Sequence, residues 1–422
     1  MLQMKRVLVV ACLAVSPVAV ASFGVCSHLT FSGEFSDREK SLDLMHVAGI
    51  GTVRTDFTWE QIQKSDGSWD FSRCDAVVAS AKARGITVLP ILDYAHKTLC
   101  PRPHLDPDTW GHYVRRVVER YGKDCPVFEV WNEENHGKKD LANPTNYMVV
   151  LRRACEEIRS VSPGLKVALG GTAGIPLGYI EELYKLNGRE LFDIMNIHFY
   201  SVPRLPEEYF HVELGKLKEL MSRYGDLEKP IWITEIGWPT NEEIPAFNWK
   251  DHKWRNAGGV DEMHQAIYLA RELAISRAHG VAMFMPYELR AGEWRRYDRE
   301  SDFGIVHGNF SPKPAFSAYV AGIEMHATGS VVMRSDISAD GGVCVMKWRR
   351  PEGSEWHRER KVVGNVVTML WRAKGAGVHR LPLVGRRVHF FNVFGKEYFP
   401  DTKDDVVELD VSESPIYLVS ES

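Results

Sequence analysis

Eight short apolar runs, separated by longer amphipathic segments, constrain the fold of this chain most strongly. Most of the runs are rich in β-branched or aromatic residues and lack clean alternation, which is typical of strands buried on both faces. They occupy residues 23–29, 50–57, 86–92, 127–131, 166–170, 192–200, 231–236 and 281–287. Alternating strands and helices predict a parallel sheet, and eight repeats predict a closed (β/α)8 TIM barrel.

The segments between the runs place apolar residues at helical spacing and charges on the opposite face. Helices are predicted over residues 37–47, 106–121, 146–161, 207–224 and 261–278, and Pro312-Lys313-Pro314 opens the last barrel helix. Asp106 and Pro107 are a capping residue and a first-turn proline. A doubly wound open sheet is the alternative architecture. It usually carries a Gly-rich phosphate loop after its first strand, which Thr30-Phe31-Ser32-Gly33-Glu34 does not resemble.

The pattern changes after about residue 328, where short strands follow one another across turns. These strands are predicted at residues 331–334, 343–348, 362–371, 378–383, 387–393, 405–411 and 416–419. Turns such as Ala339-Asp340-Gly341-Gly342 are typical of an all-β sandwich. We therefore predict a catalytic barrel over residues 22–327 and a small C-terminal β-sandwich domain over residues 328–422, which we expect to brace the barrel.

The first residues have the pattern of an export signal. Lys5 and Arg6 precede an apolar stretch over residues 7–20, and Ala19-Val20-Ala21 offers a small-residue cleavage site. We predict a signal peptide over residues 1–21 and a secreted or periplasmic protein, with a lipoprotein anchored at Cys12 as the alternative. No other segment approaches about 18 apolar residues, so no membrane span is expected.

Composition and spacing argue against several classes of function. The chain is 44% hydrophobic and 26% charged with a formal net charge of −4, so the dense basic face that nucleic acid requires is not expected. Neither a Gly-rich nucleotide loop nor a Gly-x-Ser-x-Gly elbow is present at a suitable strand end. His96, Cys100, His104 and His112 lack the paired spacing of a zinc site. We therefore expect no cofactor and no metal, and leave cysteine pairing and the oligomeric state open.

Polar residues cluster where the predicted strands end, at the face of a barrel that carries function. They are Arg54, Asp56, Asp93, His96, Asn132, Glu133, His198, Tyr200, Glu235 and Tyr287. Glu133 ends the fourth run and Glu235 lies in the seventh, so their side chains converge if these strands face each other across the mouth. Such a pair is what glycoside hydrolysis needs, and for retention the two groups stand roughly 5–5.5 Å apart. The acid must keep its proton near neutral pH, which burial and the second carboxylate both favour.

These motifs resemble those of glycoside hydrolase clan A. Trp131-Asn132-Glu133 and Thr234-Glu235 look like the clan signature, and Arg54, His198 and Tyr200 match its supporting positions. Residues 52–59, the sequence Ser-Pro-Lys-Pro-Ala at 311–315 and the trailing β domain are similar to family 39 and its relatives. The resemblance covers nearly the whole chain after the predicted signal, and implies a retaining glycosidase that acts by double displacement on a polysaccharide or oligosaccharide.

The resemblance also implies a role for each matching residue. Glu133 would be the acid/base and Glu235 the nucleophile. Asn132 would bind the sugar 2-hydroxyl, Arg54 would keep Glu235 ionised, and Tyr200 would orient it with His198 alongside.

One position departs from the clan pattern. Clan members often carry a Trp at the end of strand eight, where this chain has Met283-Phe284-Met285-Pro286-Tyr287, so Tyr287 or Phe284 is expected to replace it. Trp238 and the aromatic residues of the following loop, residues 239–259, are candidate sugar platforms. A glycan-binding barrel without activity, or a transglycosylase using the same residues, are the alternative functions.

Overall fold

The structure is a computed structural model that describes residues 22–137, 140–240, 246–248, 253–255, 259–292, 299–354, 356, 362–383, 387–403 and 405–421. The predicted signal peptide lies outside these residues, as do Trp249 and residues 293–298. No helix in this described part of the chain is long and apolar enough to span a bilayer.

Eight parallel strands form the barrel, in the places that the apolar runs predict. They are β1 (Gly24–Cys26), β2 (Thr52–Asp56), β3 (Thr87–Leu92), β4 (Val127–Val130), β5 (Lys166–Ala168), β6 (Met195–Phe199), β7 (Ile231–Ile236) and β8 (Met283–Pro286). Strands β1 to β5 pair in order, as do β6 to β8. Parallel bridges from Ala168 to Ile194 and from Phe23 to Phe284 join the two sheets and close the barrel.

Eight helices longer than four residues follow or precede these strands in the described residues. They are α1 (Arg38–Ala48), α2 (Ser72–Lys82), α3 (Pro107–Tyr121), α4 (Pro144–Val161), α5 (Leu177–Lys185), α6 (Phe210–Arg223), α7 (Glu262–Ala278) and α8 (Pro314–His326). Helix α3 begins as predicted, because the Asp106 carboxylate accepts a hydrogen bond from the Thr109 amide and Pro107 occupies the first turn. Helices α2 and α5 were not among the predicted segments.

The C-terminal strands form two antiparallel sheets. They are β9 (Val331–Asp336), β10 (Val343–Arg349), β11 (Val366–Arg372), β12 (Gly377–Pro382), β13 (Val388–Asn392), β14 (Glu397–Tyr398), β15 (Thr402–Lys403), β16 (Val406–Val411) and β17 (Ile416–Ser420). The six-stranded sheet has the order β9-β10-β11-β17-β13-β14, and the three-stranded sheet the order β12-β16-β15. Leu370, Phe390 and Leu418 from the first sheet pack on Val407 and Leu409 from the second. The predicted sandwich is therefore present.

The other face of the six-stranded sheet packs on the barrel. Trp348 and Trp371 are fully buried there. The Trp348 indole donates to the carbonyl of Met325 at the end of α8, and the His326 ring stacks on it at 4.0 Å between centroids. These tryptophans join the two domains and are unavailable as a sugar-binding surface.

The two ends of the barrel interior differ in polarity. Toward the amino ends of the strands, the interior is filled by an apolar cluster that includes Leu89, Val127, Ile194, Trp232 and Met283. Charged side chains occupy the carboxyl end. A separate cavity of about 1500 Å³ lies at the amino ends of the strands, next to the β domain, with Lys166, Trp232 and Met283 in its wall. It lies at the opposite end from the two predicted catalytic carboxylates.

Candidate active site

Arg54, on β2, is the centre of the polar network at the carboxyl end of the barrel. Its guanidinium donates to both carboxylate oxygens of Glu129 at 2.7 and 2.8 Å, to Oε1 of Glu235 at 2.7 Å and to Oδ1 of Asn132 at 2.7 Å. Burial lowers the pKa of Arg54, but the charges of Glu129 and Glu235 outweigh this and raise it above its usual range. One permanent cation thus faces two carboxylates.

Glu235 is held in one orientation from both sides of its carboxylate. Oε1 accepts from Arg54, and Oε2 accepts from the Tyr200 hydroxyl at 2.7 Å. The side chain is 10% exposed, which leaves it open to the mouth of the barrel. A fixed, partly open carboxylate suits a nucleophile, because attack requires one orientation and an accessible oxygen.

Glu133 follows β4 on a strained turn. Trp131 and Glu133 have φ angles of 79° and 49°, in the left-handed region that costs a side-chain-bearing residue about 1–2 kcal/mol. Backbone hydrogen bonds hold this turn, from the Trp131 amide to the Leu92 carbonyl at 3.0 Å and from the Glu133 amide to the Gly170 carbonyl at 2.8 Å. The turn presents a side chain that is 23% exposed, more than that of Glu235.

His198, on β6, lies between the two carboxylates and is fully buried. Its Nδ1 is 3.1 Å from Oε1 of Glu133 and 3.4 Å from Oε2 of Glu235, and its Nε2 is 3.1 Å from the Thr234 hydroxyl. Gly171 packs directly against the ring: a Cβ there would stand 2.2 Å from Nε2, and its φ of 61° also favours glycine. The ring therefore has a single position.

The electrostatics of Glu133 differ from the sequence prediction. Burial raises the pKa of Glu133, as expected, but the hydrogen bond and charge of His198 outweigh burial and lower it. Burial thus acts as predicted, but the sequence prediction did not include His198, whose Nδ1 lies 3.1 Å from Oε1 of Glu133. That contact depends on the fold and is not visible in the sequence spacing.

The separation of the two carboxylates is decisive for their chemistry. An oxygen of Glu133, an oxygen of Glu235 and a nitrogen of His198 all lie within 4.8 Å of one another. This bound on the nearest atoms agrees with the roughly 5–5.5 Å between carboxyl groups that retention needs, whereas inversion needs roughly 6.5–9.5 Å to admit a water. Among the described residues this trio is also the one cluster whose donor atoms are close enough for a metal ion, and Cys100 with its neighbouring histidines forms none.

A sequence model described as "Cellulase (glycosyl hydrolase family 5)" matches residues 15–270, which is 256 of the 422 residues. The chain belongs to this cellulase family. It is an O-glycosyl hydrolase, and a carbohydrate is its substrate. The predicted clan A enzyme is thereby confirmed, although the model names family 5 where the sequence phrases resembled family 39. No protein with a curated description matches the chain.

Solved structures similar to this hydrolase include enzymes of families 39 and 30. A family 39 glycoside hydrolase from Bacteroides cellulosilyticus WH2 is 21% identical with a TM-score of 0.75, over 95% of this chain and 81% of that chain. A family 39 β-xylosidase from Caulobacter crescentus is 14% identical with a TM-score of 0.63, over 96% of each chain. A family 30 xylanase from Clostridium acetobutylicum is 12% identical with a TM-score of 0.61, over 96% and 98%. At these identities the likeness shows the fold alone.

The remaining predicted site residues of the hydrolase fall into two groups. Asn132 lies in the network, with its amide nitrogen donating to the Tyr94 hydroxyl at 2.8 Å. Tyr287 lies at the mouth, edge-on to Tyr200 at 6.2 Å between centroids. Phe284 instead is buried beside Tyr319 in the core, so of the two candidates at strand eight only Tyr287 reaches the mouth.

Trp238 does not line the mouth. It is 2% exposed, its indole donates to Glu272 on α7 at 3.0 Å, and its ring packs on Tyr268. The loop after it contains a short hairpin in which Ala246–Asn248 pairs with Lys253–Arg255. His96 is also not in the network, because its ring nitrogens bind the Gln63 carbonyl and the Thr98 and Leu99 amides.

Sequence reasoning missed two ionisable side chains beside the site, Glu129 and His28. Glu129 was not singled out, although a charged residue within the buried run Val-Phe-Glu-Val requires a partner. His28, at the end of the first run, pairs with Asp56 at 2.6 Å. Burial lowers the pKa of His28, but the Asp56 charge raises it overall to about 10. Burial beside Asp56 raises the pKa of Asp93 well above its usual value, so these three groups form a second polar cluster near Tyr287.

Proposed function

We propose that this protein is a retaining glycoside hydrolase that cleaves O-glycosidic bonds of a polysaccharide or oligosaccharide by double displacement. Glu235 is the nucleophile and Glu133 the acid/base. The observation that carries the proposal is the short distance between the two carboxylates: oxygens of the two side chains lie within 4.8 Å of each other, and His198 lies between them.

The first step breaks the glycosidic bond. An oxygen of Glu235 attacks the anomeric carbon while Glu133 gives its proton to the departing oxygen, which leaves as an alcohol. Arg54 and Tyr200 hold the attacking carboxylate, and Arg54 also orients the Asn132 amide. The amide nitrogen donates one hydrogen to Tyr94 and has a second for a sugar hydroxyl. In the second step Glu133 takes a proton from water, the water oxygen attacks the same carbon, and the bond to Glu235 breaks.

The wall of the site suits a sugar ring. Tyr287 contacts His28, Tyr200 and Phe303 edge-on, so an aromatic wall stands beside Glu235. Flat aromatic faces pack against the C–H faces of pyranose rings. Similar solved structures include enzymes called β-xylosidase, xylanase and glucosidase, so we infer that β-linked pentosides and hexosides are the first substrates to test.

We further propose that the chain is exported by the signal over residues 1–21 and meets its substrate outside the cytoplasm. The C-terminal domain, which we place over residues 328–422, acts as a brace. Contacts between the domains support this role: the Trp371 indole donates to Glu207, which lies just before α6, at 2.7 Å, and Trp348 donates to the end of α8.

The test combines two substitutions with the stereochemistry of the product. Glu235→Gln should lower kcat by roughly four orders of magnitude or more, because it removes the nucleophile. Glu133→Ala should lose activity mainly on aryl glycosides with poor leaving groups, whose departure needs the acid. On a dinitrophenyl glycoside, where breakdown of the glycosyl-enzyme becomes limiting, azide should restore turnover by attacking that intermediate, a step that needs no general base. Proton NMR of the earliest product should show the anomer of the substrate.

Each alternative gives a different result. Early product of the opposite anomer contradicts Glu235 as nucleophile. Binding without hydrolysis across a broad glycan panel identifies a glycan-binding barrel. Transfer products that dominate at high acceptor concentration identify a transglycosylase that uses the same two residues.

A further inference from the structure

A buried chain of hydrogen bonds lies behind Glu133 and has a defined direction. The Asn196 amide nitrogen donates to the Leu169 carbonyl at 3.0 Å, which turns the amide oxygen toward Thr234. The Thr234 hydroxyl donates to that oxygen at 2.9 Å. Asn196 and Thr234 are both fully buried, so water cannot substitute for either partner.

This direction fixes the proton on one nitrogen of His198. A threonine hydroxyl has a single hydrogen, and Asn196 accepts it, so the Thr234 oxygen can only accept from Nε2 of His198 at 3.1 Å. Nε2 therefore carries a hydrogen. Nδ1, which faces Oε1 of Glu133 at 3.1 Å, is left to make the hydrogen bond with that carboxyl group.

The contact between Nδ1 and Glu133 then holds one proton. The proton is either on Oε1 and donated to Nδ1, or on Nδ1 and donated to Oε1, and both arrangements make the same hydrogen bond. If the proton were lost, the Nδ1 lone pair would face a Glu133 carboxylate oxygen at 3.1 Å and Oε2 of Glu235 at 3.4 Å. That repulsion keeps the proton in the contact.

We propose that Asn196 and Thr234 are positioning residues: by holding a hydrogen on Nε2 of His198 they commit Nδ1 to share the catalytic proton of Glu133. This inference rests on the proposed function. The shared proton passes to the glycosidic oxygen as that bond breaks and Glu235 bonds to the anomeric carbon. When water attacks in the second step, its proton returns to the same contact as the bond to Glu235 breaks.

Several charged groups also act on this contact. Glu129 lies 4.0 Å from Nε2, Glu235 lies 3.4 Å from Nδ1, and His136 lies 3.6 Å from Oε2 of Glu133. Arg54 lowers and burial raises the pKa of Glu133, and Glu134 is its buried neighbour in the chain. Asn196 and Thr234 are uncharged, so replacing either one changes the position of the ring hydrogen and leaves these charges in place.

The experiment uses Thr234→Val, which has the same shape without the acceptor oxygen, and Thr234→Ser, which retains the hydroxyl. Without the acceptor, the ring hydrogen can move to Nδ1 and stabilise Glu133 as a carboxylate. The alkaline limb of kcat/KM on an aryl glycoside with a poor leaving group should then fall by about one pH unit in Thr234→Val, which is about tenfold in rate on that limb. Thr234→Ser should restore the wild-type limb.

Two further readings make the test specific. A dinitrophenyl glycoside leaves without protonation, so the loss caused by Thr234→Val should be about tenfold smaller on it. Nitrogen-15 NMR of the wild-type enzyme should show a hydrogen on Nε2 of His198 near neutral pH. This reading needs no variant and remains available even if Thr234→Val does not fold.

Equal alkaline limbs in the wild type, Thr234→Val and Thr234→Ser would overturn the inference, as would a wild-type ring with its hydrogen on Nδ1 alone. Failure of the proposed function is distinguishable from both, because it would appear in the wild-type enzyme alone, as early product of the opposite anomer or as binding without hydrolysis.

Discussion

Two fully buried arginines, Arg54 and Arg271, each bind carboxylates, but their surroundings differ. Arg54, at the mouth, shares one positive charge between Glu129 and Glu235 and also binds Asn132. Arg271, on α7, pairs with Glu207 through two hydrogen bonds and donates to the Ala373 carbonyl of the β domain. In the Arg54 cluster two carboxylates face one cation, and Glu235 is partly exposed at the mouth of the barrel. In the Arg271 cluster one carboxylate pairs with one cation, and both side chains are fully buried.

This difference is the one expected between a site of reaction and a site of assembly. Buried ion pairs contribute little net stability, because desolvation offsets much of their attraction. A second carboxylate on Arg54 therefore gains the fold nothing, whereas it provides an oriented anion at the mouth. The Arg271 pair links the segment before α6 and helix α7 to Trp371 and Ala373, so the same chemistry there fixes the position of the β domain.

Of the two arginines, Arg54 has the larger expected effect, and that effect is catalytic. Arg54→Met leaves Glu129 and Glu235 without their cation and releases Asn132, so kcat/KM should fall by about two to three orders of magnitude. The free energy of unfolding should also fall, because Glu129 would be a buried charge without a partner. Kinetics well below the melting temperature, with circular dichroism of the same samples, measure the two effects separately.

A paired variant decides whether the catalytic loss follows from misfolding. Arg54→Met combined with Glu129→Leu removes both members of the ion pair and should recover much of the stability but little of the activity. Recovery of both together would show that the Arg54 cluster is structural, and the contrast with Arg271 would disappear.

The next effect is on stability and belongs to Arg271. Arg271→Met should lower the free energy of unfolding by about 3–5 kcal/mol, because Glu207 would remain as an uncompensated buried charge. At temperatures where the variant is folded, kcat/KM should stay within a few-fold of the wild-type value. Urea denaturation and steady-state kinetics on the same preparation give both numbers.

The matched control adds Glu207→Gln, whose amide oxygen can still accept from Trp371. This double variant should regain a large part of the lost stability, because neither charge of the ion pair remains. A loss of kcat/KM like that of Arg54→Met would instead place the Arg271 cluster in the catalytic machinery.

The sequence predicted the barrel because strands buried on both faces are continuous apolar runs, and all eight were visible. Helix α2 escaped notice because the residues it buries are small or interrupted by polar ones: Cys74, Val77, Val78 and Ala81. The two carboxylates could be found because each ends a strand beside a distinctive motif. Their relative distance could not, since it depends on the register and closure of the barrel.

Partners that lie far apart in the chain were the hardest to predict. Glu129 meets Arg54 across 75 positions, and His198 receives its orientation from Thr234 and Asn196. Trp238 follows a strand end, as a sugar platform would, but Glu272 holds its indole on the helix side. A sequence pattern gives the face of a strand, and only packing shows which neighbour completes each hydrogen bond.

The smallest predicted effect tests whether the Arg271 cluster holds one anion or two. Glu272 follows Arg271 in the chain and accepts hydrogen bonds from Ser201 and Trp238. Burial raises its pKa from 4.5 to about 8, with these hydrogen bonds acting in the opposite sense. Because the folded-state pKa lies above the unfolded one, the folded protein binds the extra proton between about pH 4.5 and 8, and stability falls as pH rises through this window.

Glu272→Gln should therefore flatten the dependence of the free energy of unfolding on pH by up to about 1.4 kcal/mol per pH unit, the contribution of one proton. Urea denaturation at pH 5 and pH 8 at constant ionic strength measures the slope. Burial also raises the pKa of Glu134 to about 8, so Glu134 should account for the slope that remains in the variant. Parallel profiles for the two proteins would mean that Glu272 is ionised beside Arg271, which would make this cluster as anion-rich as the one at Arg54 and remove the distinction between them.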